Sequence, residues 1–276
     1  MGYYDNYIMS RSQLCDLGKM TPYEFYCRYI KKSLKSSDKQ CYKFGRAFHC
    51  YILEDKEVFN KMFIVLPDID RRTKQGKIDY QEFCEKSKGK DILSIKEYNL
   101  IIDICMSLDK NIASKLLDNC DLKEEEFYFE LGGLDFKAKL DAVDTQRHII
   151  YDLKTVAMAY MVDDNSTSVR LGYDMIKYSN AEQIYIYSEA YKLRYGVIPT
   201  FYFICCEKKE PHETQVFDGT NLYEFGKKNT HDLISKYKSL VEKFGSDEWI
   251  DNDINHIGLP VSAERYLLED VEIDYL

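Results

Sequence analysis

This chain has no uninterrupted stretch of about eighteen apolar residues, so its sequence predicts no membrane-spanning helix. The first residues, MGYYDNYIMSRSQ, lack the basic start and the apolar core of a secretory signal. Nine cysteines are scattered along the chain and none is spaced as CxxC, which argues against a disulfide framework or a structural zinc site. Together these absences predict a protein of the reducing cytosol with no membrane partner.

An excess of basic residues is also missing, because the net charge is −9. The acids are concentrated in residues 246–276, where nine acids and one arginine give a charge of −8 and leave −1 for residues 1–245. A nearly neutral body with local basic stretches does not exclude nucleic-acid binding. The distribution predicts one domain over 1–245, large enough for a sizeable core, and an acidic C-terminal tail over 246–276.

The first 120 residues have the patterns of helices. The segment KFGRAFHCYILE repeats apolar residues at helical spacing. Ser94 and Glu97 form a capping-box pattern that opens a predicted helix over 94–117. The polar segment DIDRRTKQGKIDY, interrupted by Gly76, predicts an exposed loop over 68–80.

Residues 121–245 have the patterns of a sheet core. Three short β-like runs fill EEFYFELGGLDFKAKLDAVDTQRHIIYDLKT, and Gly132-Gly133 between the first two predicts a tight hairpin. Residues 158–180 have the composition of a loop; a helix ended by Gly196, two strands and a long helix follow. This order predicts an α/β or α+β fold, in which helices flank a central mixed sheet and the N-terminal region is helical.

Two acids and a lysine stand at the ends of neighbouring predicted strands. Asp152 and Lys154 are two residues apart and leave the same face of one strand, and the hairpin can bring Asp141 beside Asp152. Adjacent carboxylates repel each other unless a cation neutralises them, and carboxylate oxygens suit Mg²⁺ or Mn²⁺. With a lysine that can stabilise charge on a phosphate, the set suits metal-assisted phosphodiester hydrolysis. From these residues alone, a surface cross-strand pair beside an unrelated aspartate is an equally good interpretation.

Three further features are ambiguous by themselves. His49 lies in an apolar predicted helix, where a core histidine is more common than a metal ligand. Gln183 and Tyr187 are four residues apart on one helix face, which a half-buried face explains as well as a site does. The run RRTKQGK contributes cations that could meet phosphates or could simply be solvated: Arg71, Arg72, Lys74 and Lys77.

Taken in order, these segments resemble a known family. MSRSQL, TPYEFY, FGRAFHCYILE, RRTKQGK, LDAVD, YDLKT and QIYIYSEAY lie between about residue 8 and about residue 220. They resemble the phage exonuclease VIII (RecE-type) branch of the PD-(D/E)XK nucleases. The resemblance rests most on the GxxxH element with the Leu-Glu after it, the spacing of the two aspartates, and DLKT. It implies the restriction-endonuclease-like core of that superfamily over residues 1–245, divided into a helical part, 1–120, and a catalytic sheet core, 121–245.

The resemblance also implies roles for individual residues. It implies four ligands for Mg²⁺ or Mn²⁺: His49, Asp141, Asp152 and the carbonyl of Leu153. Lys154 would be the catalytic lysine. Gln183 and Tyr187 match the family's QxxxY element and would support the site or the scissile phosphate.

Two parts of the family pattern are less direct. An additional acid of the family has no clear counterpart, and Glu126 and Glu130 are both candidates for it. Related nucleases that carry an iron–sulfur cluster need a C-terminal group of cysteines. Because no cysteine follows Cys206, no such cluster is expected here.

The function that the resemblance implies is a Mg²⁺-dependent DNA exonuclease. It would act 5′ to 3′ on double-stranded DNA ends in phage-type recombination, in the cytosol of a bacterial host, encoded by a phage or prophage. A homo-oligomeric ring around DNA and a single-strand annealing protein as partner are also implied.

Two alternatives stay open. One is a nuclease-fold binding protein without catalysis, used in phage counter-defence or as a DNA mimic; the other is a nuclease for single-stranded DNA. The acidic tail could dock the annealing protein, pack in the oligomer, or compete with DNA, and a merely solvated tail is an equally good interpretation.

Overall fold

The computed structural model describes residues 8–34, 40–157 and 165–251. Its strands, in chain order, are β1 (Met9–Ser10), β2 (Phe63–Val65), β3 (Asp91–Leu93), β4 (Leu122–Leu131), β5 (Leu134–Asp144), β6 (Ile149–Val156), β7 (Thr200–Glu207) and β8 (Thr214–Asp218). Its α-helices are α1 (Arg11–Leu17), α2 (Pro22–Phe25), α3 (Gln40–Leu53), α4 (Lys56–Met62), α5 (Lys74–Lys86), α6 (Ile95–Leu108), α7 (Ile112–Asp118), α8 (Asn165–Lys177), α9 (Asn180–Tyr195) and α10 (Tyr223–Phe244). A π-helical turn, Tyr26–Ile30, follows α2, and a 3₁₀ turn, Thr220–Leu222, precedes α10.

Six strands form a central mixed sheet in the order β1-β5-β6-β7-β8, with β4 also paired to β5. Gly132 and Gly133 close the β4–β5 hairpin, and both have the positive φ that a two-residue hairpin turn needs. The β6–β7 pair is parallel, whereas β5–β6 and β7–β8 are antiparallel. The hairpin and the mixed character of the sheet confirm the predictions from the sequence.

The strands β1 and β6 share one edge of β5, because β4 pairs with the other edge along nearly its whole length. β1 runs parallel to β5 and ends with Ser10 beside Lys137, while β6 runs antiparallel and has Tyr151 beside Ala142. Residues 138–141 of β5 therefore lie opposite a gap, between the end of β1 and the part of β6 that leaves β5. Main-chain N–H and C=O groups that border this gap can therefore form hydrogen bonds with side chains.

Helices cover both faces of the sheet. On one face α3, α6 and α7 pack against Tyr151, Leu153 and Ile204. On the other face α8 and α9 pack against a second buried set that includes Ile150 and Phe203. None of the helices in the described ranges is long and apolar enough to cross a bilayer.

The N-terminal helices α1 and α2 form a third cluster with α9 and α10. Trp249, within the segment predicted as the acidic tail, belongs to this cluster and has no exposed surface. Its ring stacks on Phe25 with centroids 5.8 Å apart and on Phe244 with centroids 6.2 Å apart. The first part of the segment predicted as the tail, which contains Trp249, is therefore packed on the body of the protein. Residues 252–276 lie outside the described residues.

The prediction of a loop over 68–80 is wrong for its second half, where α5 begins. Thr73 caps this helix by accepting a hydrogen bond from the Gly76 N–H at 2.9 Å. A Cβ atom on Gly76 would lie 2.0 Å from the carbonyl oxygen of Asp70, so only glycine allows this close approach. Gly76 is thus a tight contact in the first turn of a helix and not an interruption.

Two other predicted segments also differ. The helix predicted over 94–117 is two helices, because the Asn111 side chain accepts from the Ala113 N–H at 3.0 Å and starts α7. Within 158–180, predicted as a loop, α8 is helical. Residues 158–164 lie outside the described residues.

Candidate active site

Asp141 of β5 and Asp152 of β6 occupy facing positions, one step beyond the paired residues Ala142 and Tyr151. The main-chain ladder between the two strands ends there. The Leu153 N–H donates to the Asp141 carboxylate at 2.8 Å. This hydrogen bond holds Asp141 Oδ2 at the gap in the sheet, where the two acids were predicted to meet.

Asp152, Lys154 and Gln183 form one hydrogen-bonded unit. Asp152 is 1% exposed, and its Oδ2 lies 2.5 Å from Lys154 Nζ. Gln183, on α9, donates its amide to Asp152 Oδ1 and accepts from Lys154 Nζ at 3.1 Å. Burial raises the pKa of Asp152, and the Lys154 charge only partly offsets that effect. The lysine and the glutamine therefore hold a buried carboxylate in one orientation.

His49, on α3, approaches the acids from the face of the sheet that is opposite to α9. Its Nδ1 lies 3.4 Å from Asp141 Oδ2 and 3.9 Å from Glu124 Oε1. Burial disfavours the imidazolium, but the Asp141 carboxylate more than offsets this and raises the pKa of His49 to about 9. Burial likewise disfavours ionised Asp141, and the charges of His49 and Lys154 hold its pKa below the ordinary value.

Glu124, and not the predicted candidates Glu126 and Glu130, is the acid that the structure places beside His49 and Asp141. Glu126 accepts a hydrogen bond from the Tyr128 hydroxyl at 2.9 Å, and Glu130 is exposed. Glu124 has a φ of 52°, a left-handed conformation that is costly for a residue with a Cβ atom. Burial raises the pKa of Glu124, although its ion pair with Lys139 opposes the shift.

Three side chains could hold a metal ion together. His49, Glu124 and Asp141 each offer one donor atom, and these atoms lie within 4.8 Å of one another. One imidazole nitrogen and carboxylate oxygens are a donor set that suits Mn²⁺ and Mg²⁺. Within the described ranges, Asp152 Oδ2 is buried without a hydrogen bond and lies 2.5 Å from Lys154 Nζ. The three residues thus fit a divalent cation, and the buried Asp152 Oδ2 offers a further carboxylate oxygen.

Tyr187 lies one helical turn after Gln183 on α9. Burial raises the pKa of its phenol, and the charges of Arg11, Asp152 and Asp141 also act on it. Its hydroxyl is therefore neutral over the ordinary pH range and near the site. The structure thus gathers the predicted residues from β5, β6, α3 and α9 into one place.

The predicted basic run is not part of this group. Arg71, Arg72, Lys74 and Lys77 are exposed, in and just before α5. Arg71 lies over the Tyr80 ring, 4.9 Å from its centroid, and Arg72 lies 3.4 Å from Asp70. These contacts are local, so a role for the run in DNA binding stays a prediction.

Two basic residues of the site had no role in the sequence interpretation. Arg11 donates to Gln183 Oε1 at 2.7 Å, and Lys139 forms an ion pair with Glu124 and lies 3.8 Å from Glu54. Lys139 is two residues before Asp141 on β5, so strand alternation could have found it. Arg11 has no such signal, because it is 172 residues from Gln183.

Comparison with known proteins agrees with this fold. A family model described as "PDDEXK-like domain of unknown function (DUF3799)" matches residues 10–246. The crystal structure of a "Putative exonuclease" from Eubacterium rectale is similar with a TM-score of 0.60 over 93% of this chain and 92% of that chain. The two sequences are 13% identical, so the likeness shows the fold alone. The crystal structure of SSO0001 has a TM-score of 0.29 at 15% identity over 70% of this chain and 84% of that chain. No curated protein matches the sequence.

Proposed function

We infer that this chain, which belongs to the PDDEXK-like domain family DUF3799, is a metal-dependent deoxyribonuclease that degrades duplex DNA from its ends, 5′ to 3′. The observation that supports this most is the buried unit of Asp152, Lys154 and Gln183 beside Asp141. A surface cross-strand pair would be solvated, whereas Asp152 is 1% exposed. Burying a second acid next to Asp141 costs several kcal/mol before its partners offset it. Such costs are concentrated at functional sites.

Different side chains of the site can carry out different parts of phosphodiester hydrolysis. His49, Glu124 and Asp141, with Asp152, would hold a divalent cation, which when bound polarises a phosphoryl oxygen and lowers the pKa of water. The Lys154 ammonium can donate to a phosphoryl oxygen, where negative charge increases in the transition state.

Two neutral side chains on α9 can support that chemistry. Gln183 contacts both Asp152 and Lys154 and fixes their relative position. Tyr187 keeps its hydroxyl proton, because burial raises its pKa, and the hydroxyl can donate a hydrogen bond to the substrate.

The test uses linear duplex DNA with a 5′ or a 3′ label, linear single-stranded DNA and covalently closed circular duplex DNA, each with Mg²⁺, Mn²⁺ or EDTA. Asp152→Asn and Lys154→Met should lower the cleavage rate by roughly 10²–10³-fold or more, as removal of a principal electrostatic group does. Asp135→Asn and Lys137→Met change exposed residues of the same types on β5 and should leave the rate unchanged.

The label that is released first gives the polarity of cleavage. Degradation of the linear DNA without cleavage of the circular DNA indicates an exonuclease. Cleavage of single-stranded DNA alone would favour the alternative substrate. If wild type cuts none of these substrates with either metal, the proposal fails and the non-catalytic binding protein takes its place.

The resemblance to the exonuclease VIII branch extends the proposal to the biological setting. The enzyme would serve phage-type homologous recombination in a bacterial cytosol, form a homo-oligomeric ring around DNA, and deliver single strands to an annealing protein. Light scattering of the purified chain tests the ring, because a monomer at micromolar concentration contradicts it. Co-migration with an annealing protein from the same genome tests the partner.

A further inference from the structure

The start of α1 lies beside the gap in the central sheet. β1 runs toward that gap along β5, and its last residue, Ser10, pairs with Lys137. Arg11 follows immediately. The facing acids Asp141 and Asp152 lie at the other end of the same gap. The topology thus brings an arginine from the N-terminal region to the edge of the candidate active site.

Two cationic groups converge there on one neutral oxygen. Gln183 Oε1 accepts from Arg11 at 2.7 Å and from Lys154 at 3.1 Å. Positive groups held this close repel each other, and an amide oxygen carries no charge to compensate. An anion beside them would remove that repulsion.

The two cations differ in their partners. Lys154 is paired with Asp152, whereas no carboxylate of the described residues lies within 4 Å of Arg11. A guanidinium has five N–H donors in a planar fork, and Gln183 uses only one side of it. Arg11 is also partly exposed and acts electrostatically on Tyr187. Its remaining donors are therefore available to a ligand that reaches the site.

We propose that Arg11 is a substrate-binding residue that contacts a phosphate group of the DNA strand next to Lys154. The inference rests on the proposed nuclease function and adds a residue to it. A phosphate oxygen supplies the negative charge that Arg11 lacks in a partner, and the arginine fork matches two oxygens of one phosphate. Gln183 then keeps the arginine, the lysine and Asp152 in a fixed relation.

The experiment measures the salt dependence of DNA binding, which needs no bound metal. A short fluorescent blunt duplex is titrated with the full chain in EDTA at several salt concentrations, and binding is followed by anisotropy. Loss of one phosphate contact reduces the slope of log K against log salt by about 0.9. Arg11→Met should lower this slope by that amount and weaken binding roughly tenfold at moderate salt. Arg11→Lys, which keeps the charge, should restore most of the slope.

The control is Arg28→Met, because Arg28 has a carboxylate partner, Glu24, at 2.9 Å and should not change the slope. An arginine that merely held Gln183 in place would alter the melting temperature or kcat and leave the slope unchanged. An unchanged slope and affinity in Arg11→Met, with wild type binding and cutting DNA, overturns this inference and leaves the nuclease proposal intact. If wild type neither binds nor cuts DNA, the nuclease proposal fails and this inference fails with it.

Discussion

Glu124 and Asp141 face each other across the β4–β5 pair, and Glu124 adopts its left-handed conformation at this position. In a regular strand, side chains that are five residues apart point to opposite faces of the sheet. Leu122 and Phe127 of β4 nevertheless pack on the same cluster, so the alternation of side chains shifts by one residue between them, where Glu124 lies. Both carboxylates reach His49 as a result. A backbone strained at one residue thus completes a group of three donors.

The first prediction concerns the donor set. Glu124→Gln should weaken Mn²⁺ binding by at least the roughly 10- to 100-fold that loss of an outer-shell partner costs. Glu126→Gln removes a neighbouring acid that contacts Tyr128 and should leave binding unchanged. Electron paramagnetic resonance of free Mn²⁺ gives both affinities, and equal affinities in the two variants would remove Glu124 from the site.

The second prediction concerns the strained backbone. Glu124→Gly and Glu124→Ala both remove the carboxylate and its ion pair with Lys139, but only glycine accepts a φ of 52° without cost. The glycine variant should therefore have a free energy of unfolding about 1 kcal/mol greater than that of the alanine variant. Urea denaturation without metal measures the difference. An alanine variant as stable as the glycine variant would mean that the backbone at 124 is not left-handed.

The sequence was sufficient for the parts of the site that lie on one hairpin. The alternation around Asp152 and Lys154, and a two-glycine turn, are local signals. The same hairpin also predicts the position of Glu124. Glu124 is eight residues before Gly132 and Asp141 is eight residues after Gly133, so these two acids must face each other across the hairpin. Counting from the turn would have chosen it over Glu126.

Other features depend on distant contacts that no local pattern encodes. Gly76 is in the first turn of α5, where it packs on the carbonyl of Asp70, a contact that composition does not reveal. His49 was ambiguous until the resemblance gave it a role, since a histidine in an apolar helix is usually a core residue. Arg11, directly after β1, and Gln183, on α9, are 172 residues apart in the chain and meet only in the folded structure.

A third prediction concerns Lys139, whose ammonium is bound to Glu124. A cation at this position repels a divalent ion and occupies one of its donors. Lys139→Met should therefore tighten Mn²⁺ binding several-fold at pH 8, whereas Lys137→Met, an exposed lysine two residues away, should not. Unchanged affinity in Lys139→Met would mean that its ion pair opens freely when a metal binds.

A fourth prediction separates the packed and the remaining parts of the C-terminal segment. Trp249→Ala should destabilise the protein by about 3–5 kcal/mol, as truncation of a buried aromatic residue does. A chain that ends at residue 251 retains Trp249, so its melting temperature measures what the residues after 251 add to stability. That truncation is the suitable variant for testing the tail in DNA binding, assembly and partner affinity. Destabilisation by the truncation itself would show that residues 252–276 contribute to the fold.

The last prediction concerns pH, through the raised pKa of His49. The pKa of about 9 in the folded protein exceeds the ordinary value of 6.5, because Asp141 outweighs the effect of burial. The charged histidine therefore stabilises the metal-free protein fully below about pH 6.5, by on the order of 3 kcal/mol, and this contribution is lost as pH rises through 9.

Metal binding has the opposite dependence, since a ligating histidine must first lose its proton. Between pH 6.5 and 8.5 the Mn²⁺ affinity should rise about tenfold per pH unit in wild type, and should be nearly flat in His49→Gln. His212→Asn, a change at a histidine outside the site, should retain the wild-type slope. Equal slopes in wild type and His49→Gln would show that His49 does not ligate the metal, because the proton released on binding would then come from another group.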